Sequence, residues 1–398
     1  MPHILVGVTS AQTCLVLPDR LSALRSAGFR VSLLSSPGGL AARASQINGV
    51  TAYTVPIRRS ISLVSDIVAF LRICALLRRV KPDIVEFSTP KAALLGCVAA
   101  WLCGIEVRVY FLRGLRLETA TGIKRRVLLY GERVAFKCAH VALCNSQSLF
   151  DRAREMKIAA GSKLILLGEG SSMGVDLERF SPGTSDVRQQ FGIPQNAPVI
   201  GFVGRLTADK GVPELLEAFA LILRRHPEAY LLLVGWFDAA EDALDCGIRK
   251  RIEGHPRIVL TGYVNDASPY YRAMDQLVLP SWREGFPNAI LEAAASGVPV
   301  IAAACTGSRD AVIPGVTGLL VPAGSPEAIS QAVLSLLSDD EVRRRMSEAA
   351  RKWAVEHYDN RHVMRLMVRF YERLFQATSI RGSAKNRREP ATGLPASL

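Results

Sequence analysis

The chain has 398 residues, which exceeds what one hydrophobic core usually organises, so two domains are expected. Because 49% of the residues are apolar, the composition excludes a disordered protein. A helical membrane span is not expected either, since no apolar run reaches the ~18 residues that such a span needs. The net charge of +13 is concentrated in residues 1–150, where 19 Lys and Arg face 7 Asp and Glu, so an anionic partner is expected for that half.

The first half of the chain alternates short apolar stretches with amphipathic ones. Its predicted strands are HILVGV, RVSLLSS, DIVEFS, EVRVYFL and HVALCNS, and its predicted helices include LPDRLSALRSAG and LVSDIVAFLRICALLRRVKP. This alternation predicts a parallel, doubly wound α/β sheet. The start, MPHILVGVTS, is typical of a first strand and not of a signal peptide, and the eight cysteines show no CxxC pair, so a cytoplasmic location is expected.

The second half restarts the same pattern and predicts a second Rossmann-like domain. Its strands are PVIGFVG, AYLLLVG, RIVLTGY, QLVLPS and VPVIAAA, and the turn-rich segment 174–197 before them is typical of a linker. The sequence therefore predicts two facing parallel-sheet domains with a cleft between them. The predicted divisions are an N-terminal domain at 1–178, a C-terminal domain at 179–360, a helix at 361–380 that packs back toward the N-terminal domain, and a disordered tail at 381–398.

Two carboxylates flank a predicted helix start in the stretch SWREGFPNAILEAAASGVPVI. Glu284 directly follows a predicted strand, where open parallel sheets bind ligands, and Glu292 lies one turn inside the helix. Pro287 is favoured at a first helical position, so the backbone N–H groups of Phe286, Asn288 and Ala289 are expected to form an anion site at the helix N-terminus. The alternative is that Glu292 pairs with a buried cation and that Glu284 is merely solvated.

Two cations flank the loop in VIGFVGRLTADKG. The strand ends at Gly204, and Arg205 and Lys210 follow it before the next predicted helix. Cations at the carboxyl end of a strand are suited to hold a diphosphate and to offset the charge of a leaving group. The alternative is an exposed loop with ordinary surface cations.

Taken together, VGRLTADKG, EGFPNAILEAAASGVPVIA and GVTGLLVPAG resemble the retaining glycosyltransferases of family GT4, which have the GT-B fold. The resemblance implies a nucleoside-diphosphate-sugar (NDP-sugar) donor bound by the C-terminal domain and transfer with retention, of a hexosyl or N-acetylhexosaminyl group. It assigns Arg205 and Lys210 to the donor diphosphate, Glu284 to the transferred sugar and Glu292 to the donor ribose. It implies no cofactor and no metal.

The N-terminal half carries a candidate acceptor site. Lys91 lies in the first turn of the helix opened by STPKA, and Arg113 and Arg116 follow the strand EVRVYFL, where many relatives have a histidine. The segments STPKA and RGLRLETATG resemble those of the family members that build lipid-linked bacterial surface glycans. The resemblance implies an undecaprenyl-diphosphate or other surface-polysaccharide acceptor. The alternative is that Lys91 only complements local charge.

Two basic, partly apolar segments suggest contact with an anionic membrane surface. The segment 122–137 is the better candidate, whereas the apolar face of 58–81 is expected to be core with solvated cations. The protein is therefore predicted to be peripheral at the inner face of the cell membrane.

Three other functions remain open. A nucleic-acid-binding protein would fit the basic half, although aromatic interleaving and a known module are absent. A dinucleotide oxidoreductase would fit the domains, but no GxGxxG follows either first strand. A nucleotide-sugar-binding protein without transfer activity would fit the unusual acceptor loops.

Overall fold

The computed structural model describes residues 1–9, 14, 17–38, 49–58, 62–238 and 242–385, with side chains to residue 377. The chain forms two compact units, of which unit 1 comprises Met1–Met173 and the chain from Arg361 onward, and unit 2 comprises Gly174–Asn360. The sequence placed the first boundary at 178. It falls earlier because Val175 already bonds to unit 2, donating its N–H to the carbonyl of Tyr358 over 2.7 Å.

Unit 1 is built on a seven-stranded, entirely parallel sheet with the spatial order β3-β2-β1-β4-β5-β6-β7. The strands are β1 (His3–Gly7), β2 (Arg30–Ser35), β3 (Val50–Thr54), β4 (Ile84–Ser88), β5 (Val107–Leu112), β6 (Val141–Cys144) and β7 (Leu164–Leu166). Strand order reverses between β1 and β4, so that point is the topological switch of the sheet.

Helices cover both faces of this sheet, because alternate strand residues point to opposite sides. The helices before unit 2 are α1 (Pro18–Ser26), α2 (Leu63–Val80), α3 (Pro90–Leu102), α4 (Gly122–Cys138) and α5 (Gln147–Glu155), with short 3₁₀ turns at Arg116–Glu118 and Gly161–Lys163. On one face, Val85 and Phe87 pack with α2 to α5. On the other, Ile4 and Ile84 pack with α1 and with the last helix of the chain.

Unit 2 has a six-stranded parallel sheet of order β10-β9-β8-β11-β12-β13 around a single core. The strands are β8 (Val199–Val203), β9 (Tyr230–Val234), β10 (Ile258–Leu260), β11 (Gln276–Leu279), β12 (Val300–Ala303) and β13 (Gly318–Val321). The helices are α6 (Val187–Gln190), α7 (Val212–Leu223), α8 (Cys246–Gly254), α9 (Ser268–Arg272), α10 (Asn288–Ala295), α11 (Pro326–Ser338) and α12 (Asp340–His357), with a 3₁₀ turn at Ala208–Lys210.

The last helix, α13 (Asn360–Lys385), returns to unit 1 and is fixed there by a buried polar cluster. Tyr371 donates its hydroxyl to the carboxylate of Glu86 on β4, and Arg20 of α1 forms an ion pair with the same carboxylate over 2.7 Å. All three side chains are almost fully buried. Because the carboxylate has a cationic and a hydroxyl partner, its burial does not leave an uncompensated charge.

The same helix continues to Lys385, so the predicted disordered tail does not begin at 381. The polar residues at 381–385 extend the helix, and residues 386–398 of the predicted tail lie outside the described residues. No helix in the described part of the chain is both long and apolar enough to cross a membrane.

Candidate active site

The predicted donor residues lie at the topological switch of unit 2. Strands β8 and β11 are neighbours in the sheet. After β8, the chain adds β9 and β10 on one side of this pair, and after β11 it adds β12 and β13 on the other side. The loop after β8 carries Arg205 and Lys210, and the loop after β11 carries Glu284. Both loops leave the carboxyl edge of the sheet, the place where parallel α/β sheets bind ligands.

The two loops are joined by an ion pair between predicted site residues. The ammonium of Lys210 lies 2.5 Å from the carboxylate of Glu284, and the two side chains are only 20% and 10% exposed. Gly211 permits this approach, because its φ of +73° suits glycine and a Cβ there would lie 2.1 Å from the carbonyl oxygen of Pro280. Glu284 is therefore a partly buried, charge-compensated carboxylate, and the alternative of a merely solvated side chain is wrong.

Arg205 is held by acidic residues that the sequence interpretation missed. Its guanidinium lies 2.8 Å from Asp238 and 3.9 Å from the buried carboxylate of Asp209. Asp209 also accepts hydrogen bonds from Arg283 at 2.8 Å and from Thr207 at 2.6 Å. The carboxylate of Asp209 thus ties the first loop to the second, and Arg205, Lys210 and Arg283 form a cluster of three cations at this edge.

Gly204 begins the first of these loops, and its backbone conformation requires glycine. Its φ is +153°, and a Cβ added to Gly235, after β9, would lie only 1.8 Å from the carbonyl oxygen of Gly204. The two backbones therefore touch at the ends of β8 and β9. The contact fixes the direction in which the chain leaves β8 toward Arg205.

The second loop leads into α10, whose N-terminus follows this edge directly. Pro287 is the N-cap and not the predicted first helical residue, with Asn288 and Ala289 opening the helix. Phe286 is buried, with its ring 5.3 Å from that of Tyr358, so it anchors the turn. The first turn of a helix carries backbone N–H groups suited to an anion.

Glu292 lies one turn further into α10, and the hydrogen bond at its carboxylate comes from a neutral phenol. The hydroxyl of the fully buried Tyr271, on α9, donates to it over 2.7 Å. Burial raises the pKa of Glu292, and this hydrogen bond only partly opposes the rise. A carboxylate in such a place is able to accept hydrogen bonds from ligand hydroxyl groups.

The three predicted acceptor-side residues of unit 1 are not gathered around one group. Lys91 pairs with Asp66 of α2 at 2.8 Å, and Arg113 donates to the hydroxyl of Ser172 at 2.7 Å. Burial lowers the pKa of Arg113 to about 10. Arg116 opens the 3₁₀ turn after β5.

Unit 1 has a polar contact at its own switch point that the sequence interpretation did not include. The hydroxyl oxygens of Thr9, after β1, and Thr89, after β4, lie 2.5 Å apart. Thr89 has a φ of +75°, which is strained for a β-branched residue. This strained residue is the N-cap of α3 and lies two positions before Lys91.

Metal ligands were not predicted for either unit. Among the described residues, no group of three or more His, Cys, Asp or Glu side chains is arranged to hold a metal ion.

Comparison with protein-family models matches both halves of the chain. Residues 184–353 match the model described as glycosyl transferases group 1, and residues 19–166 match the glycosyl transferase 4-like domain. The first match contains every predicted donor residue, and the second contains the three predicted acceptor-side residues.

Two curated relatives cover most of the chain. The capsular polysaccharide biosynthesis glycosyltransferase CapM of Staphylococcus aureus is 34% identical over 87% of this chain and 90% of its own. The UDP-Gal:alpha-D-GlcNAc-diphosphoundecaprenol alpha-1,3-galactosyltransferase of Escherichia coli is 30% identical over 78% of this chain and 81% of its own.

Among solved structures, Anabaena Alr3699/HepE in complex with UDP-glucose superposes with a TM-score of 0.77. The match covers 94% of this chain and 100% of that one at 19% identity, a level that supports the shared fold. WaaG, a glycosyltransferase involved in lipopolysaccharide biosynthesis, has a TM-score of 0.70 over 92% of this chain and 98% of its own, at 16% identity.

Proposed function

The chain belongs to the group 1 (GT4) family of glycosyltransferases with the GT-B fold, and on that premise we propose that it transfers a sugar from an NDP-sugar to a lipid-linked surface-polysaccharide acceptor with retention of anomeric configuration. The observation that carries the proposal is the ion pair between Lys210 and Glu284 at the switch point of unit 2, beside Arg205 and the N-terminus of α10.

The cations and the helix N-terminus support a diphosphate-binding role. Arg205 provides a guanidinium with five N–H donors, Lys210 provides an ammonium with three, and α10 adds oriented backbone N–H groups. Their present carboxylate partners, Asp238 and Glu284, hold both cations at the sheet edge before a donor arrives. Positive charge fixed in this way would stabilise the diphosphate as it leaves, the role for which a metal ion would otherwise serve, and on this ground we propose a metal-independent reaction.

The two glutamates take different roles in the proposal. Glu292 would accept hydrogen bonds from the ribose hydroxyls, since it already accepts one from Tyr271 in a partly buried position. Glu284 would contact the transferred sugar while keeping Lys210 in place. Bonds to the sugar matter most as charge develops at its anomeric carbon, whereas the ribose is held equally in substrate and product.

The bond changes in this reaction balance without a side-chain base. The bond between the anomeric carbon and the β-phosphate oxygen breaks, and the acceptor hydroxyl oxygen bonds to the same carbon on the same face. The leaving phosphate oxygen takes the proton of that hydroxyl. Arg205 and Lys210 stabilise the phosphate as it gains negative charge.

The names of the two curated relatives support a membrane-held acceptor. One acts in capsular polysaccharide biosynthesis, and the other takes a sugar linked to diphosphoundecaprenol. We therefore propose that the protein is a peripheral enzyme at the inner face of the cell membrane and that it transfers a hexosyl or N-acetylhexosaminyl group. Lys91, Arg113 and Arg116 of unit 1 are the candidate contacts for an anionic acceptor.

A nucleotide-sugar screen tests this proposal. Thermal unfolding of the protein is followed with UDP-, GDP- and ADP-sugars, with the Glu292→Ala variant as the control. We expect one nucleotide series to raise the melting temperature of the wild type and to have a much smaller effect on the variant. Equal shifts for the two proteins, or none for any donor, would contradict the proposed donor site.

A further inference from the structure

Three neighbouring helices of unit 1 expose a broad apolar surface. Helix α3 packs between α2 and α4, and all three cover the same face of the sheet. We call the outward side of these helices the α2–α4 face. Its exposed large apolar residues are Leu63, Val64, Ile67, Val68, Leu71, Trp101, Leu102, Ile123, Val127 and Tyr130.

Helix α2 has two apolar sides, of which only one is core. Ala69, Ile73 and Leu77 are buried against the sheet. On the opposite side, Leu63 is 78% exposed and Leu71 is 60% exposed. The sequence interpretation assigned the apolar residues of 58–81 to the core, and this is wrong for the first two turns, because the helix carries more apolar residues than one face can bury.

Helix α4 repeats the arrangement with basic residues interleaved. Ile123 is 79% exposed and Tyr130 is 72% exposed. Lys124, Arg125 and Arg126 lie between them and are also exposed. Apolar side chains mixed with Lys and Arg on a surface helix are typical of helices that lie in the interface of an anionic bilayer.

Charge on the α2–α4 face favours an anionic partner. The exposed basic residues of α2 and α4 are Arg72, Arg78, Arg79, Lys124, Arg125, Arg126, Arg133 and Lys137. Of the acidic residues on these helices, Asp66 is paired with Lys91, and Glu132 of α4 is buried. A second copy of the chain would bring the same positive charges together across a symmetric interface, which disfavours self-association through this face.

We propose that the α2–α4 face is a membrane-docking surface, in which the apolar rows of α2 and α4 insert among the lipids of an anionic bilayer while the flanking Lys and Arg contact the headgroups. Snorkelling of the long basic side chains allows both contacts at once. The apolar row of α2 is the main anchor, because five exposed apolar residues lie within its first nine positions.

The location of this surface suits a lipid-held acceptor, and this step rests on the proposed function. Helices α2, α3 and α4 each lead into the following parallel strand, so they run opposite to the strands and begin near the carboxyl edge of the sheet. The exposed apolar residues of α2 lie in its first half, close to that edge, as does the Lys91–Asp66 pair. A docked bilayer would present acceptor headgroups to the edge that holds Lys91.

Vesicle sedimentation of the full chain tests the docking surface. The wild type is compared with Leu63→Ser/Ile67→Ser/Leu71→Ser and with Lys124→Gln/Arg125→Gln/Arg126→Gln. The matched control is Ile313→Ser/Val316→Ser, which removes apolar residues that are 40% and 49% exposed in unit 2. Circular dichroism melting confirms that each variant is folded.

We expect the wild type and the control to bind vesicles of phosphatidylglycerol in phosphatidylcholine equally, and to bind pure phosphatidylcholine far less. The basic variant should lose roughly 10²-fold in affinity and part of the salt dependence, because five of the eight exposed basic residues remain. The apolar variant should lose at least about 10³-fold, because three Leu or Ile side chains no longer enter the bilayer, while its remaining binding stays salt-sensitive.

Three outcomes would overturn the docking surface: wild-type binding by the apolar variant, equal binding to neutral and anionic vesicles, or a wild-type dimer that the apolar variant converts to a monomer. Transfer to a short-chain, water-soluble acceptor is measured on the same samples and should be unchanged in the surface variants. If vesicle binding follows the expectation but no protein transfers sugar, the proposed function fails and the docking surface stands.

Discussion

The ion pair between Lys210 and Glu284 is expected to contribute both to the stability of the fold and to the rate of transfer, and three variants separate the two contributions. The variants are Lys210→Met, Glu284→Gln and the double variant. In the native protein the two groups are 2.5 Å apart and only 20% and 10% exposed. Removing the ammonium alone leaves a largely buried carboxylate without this partner. Removing both charges leaves a neutral amide beside an apolar chain of similar length.

The expected losses follow from that burial. An exposed ion pair is worth at most about 1 kcal/mol, and breaking a fully buried pair costs about 3–5 kcal/mol. The intermediate exposure here predicts that Lys210→Met lowers the free energy of unfolding by about 1–3 kcal/mol. The double variant should recover most of that loss, because no unpaired charge remains.

Transfer activity should respond differently. Each single variant should lower the rate by about 10²-fold, and the double variant should be no faster, because the leaving diphosphate still lacks its cation. Stability is measured by urea denaturation and transfer by release of the nucleoside diphosphate in the presence of acceptor. Arg344→Ala, which removes an exposed surface cation paired with Glu341, is the control and should change neither quantity measurably.

Two results would refute this reasoning. Wild-type stability of Lys210→Met would mean that the ion pair contributes nothing in solution. Recovery of transfer in the double variant would mean that Lys210 and Glu284 only hold the two loops together and take no part in the reaction.

Three further predictions concern other buried polar groups. Burial raises the pKa of Glu132 from 4.5 to about 7, so the folded state binds the proton more tightly than the unfolded state and stability falls as pH rises through this range. The free energy of unfolding is therefore measured at about pH 5 and about pH 8. Between these two pH values, the stability of Glu132→Gln should rise by roughly 3 kcal/mol relative to that of the wild type. A stability difference that is the same at both pH values would contradict the assignment. Tyr271→Phe should weaken binding of the free nucleoside diphosphate by a few-fold, as measured by calorimetry, because the phenol orients the carboxylate of Glu292. Glu292→Ala should weaken it further. Unchanged affinity in both variants would contradict the proposed contact between Glu292 and the ribose. Tyr371→Phe should lower the free energy of unfolding by about 1–3 kcal/mol, because Glu86 loses a hydrogen bond in a fully buried site, and wild-type stability in a denaturation curve would argue against that bond.

The sequence predicted the central strands of both sheets but missed three edge strands. Strands β3, β7 and β13 lie at sheet edges, and several of their residues are partly exposed. A partly buried edge strand has an apolar run that is shorter, or more interrupted by polar residues, than the runs that identify the central strands of a parallel sheet. Their existence depends on neighbours that only the folded sheet supplies.

The donor-site residues were predictable because spacing and strand ends mark them, whereas their partners were not. Asp209 lies inside the predicted loop, yet its contact with Arg283 joins segments far apart in the chain. Tyr271 reaches Glu292 from a separate helix. Contacts of this kind depend on tertiary packing and leave no periodic signal in a single sequence. The same holds for the first turns of α2, where an apolar row alone does not reveal which side is buried.

The anomeric configuration of the product tests the central claim most directly. The purified protein is incubated with an α-linked NDP-sugar from the series that stabilises it, a polyprenyl-diphosphate-linked acceptor and a metal chelator, and the new glycosidic bond is analysed by NMR. The account predicts an α-linked product that forms despite the chelator and that is reduced about 10²-fold in Glu284→Gln. A β-linked product, or no transfer from any UDP-, GDP- or ADP-sugar in the presence of acceptor, would contradict it.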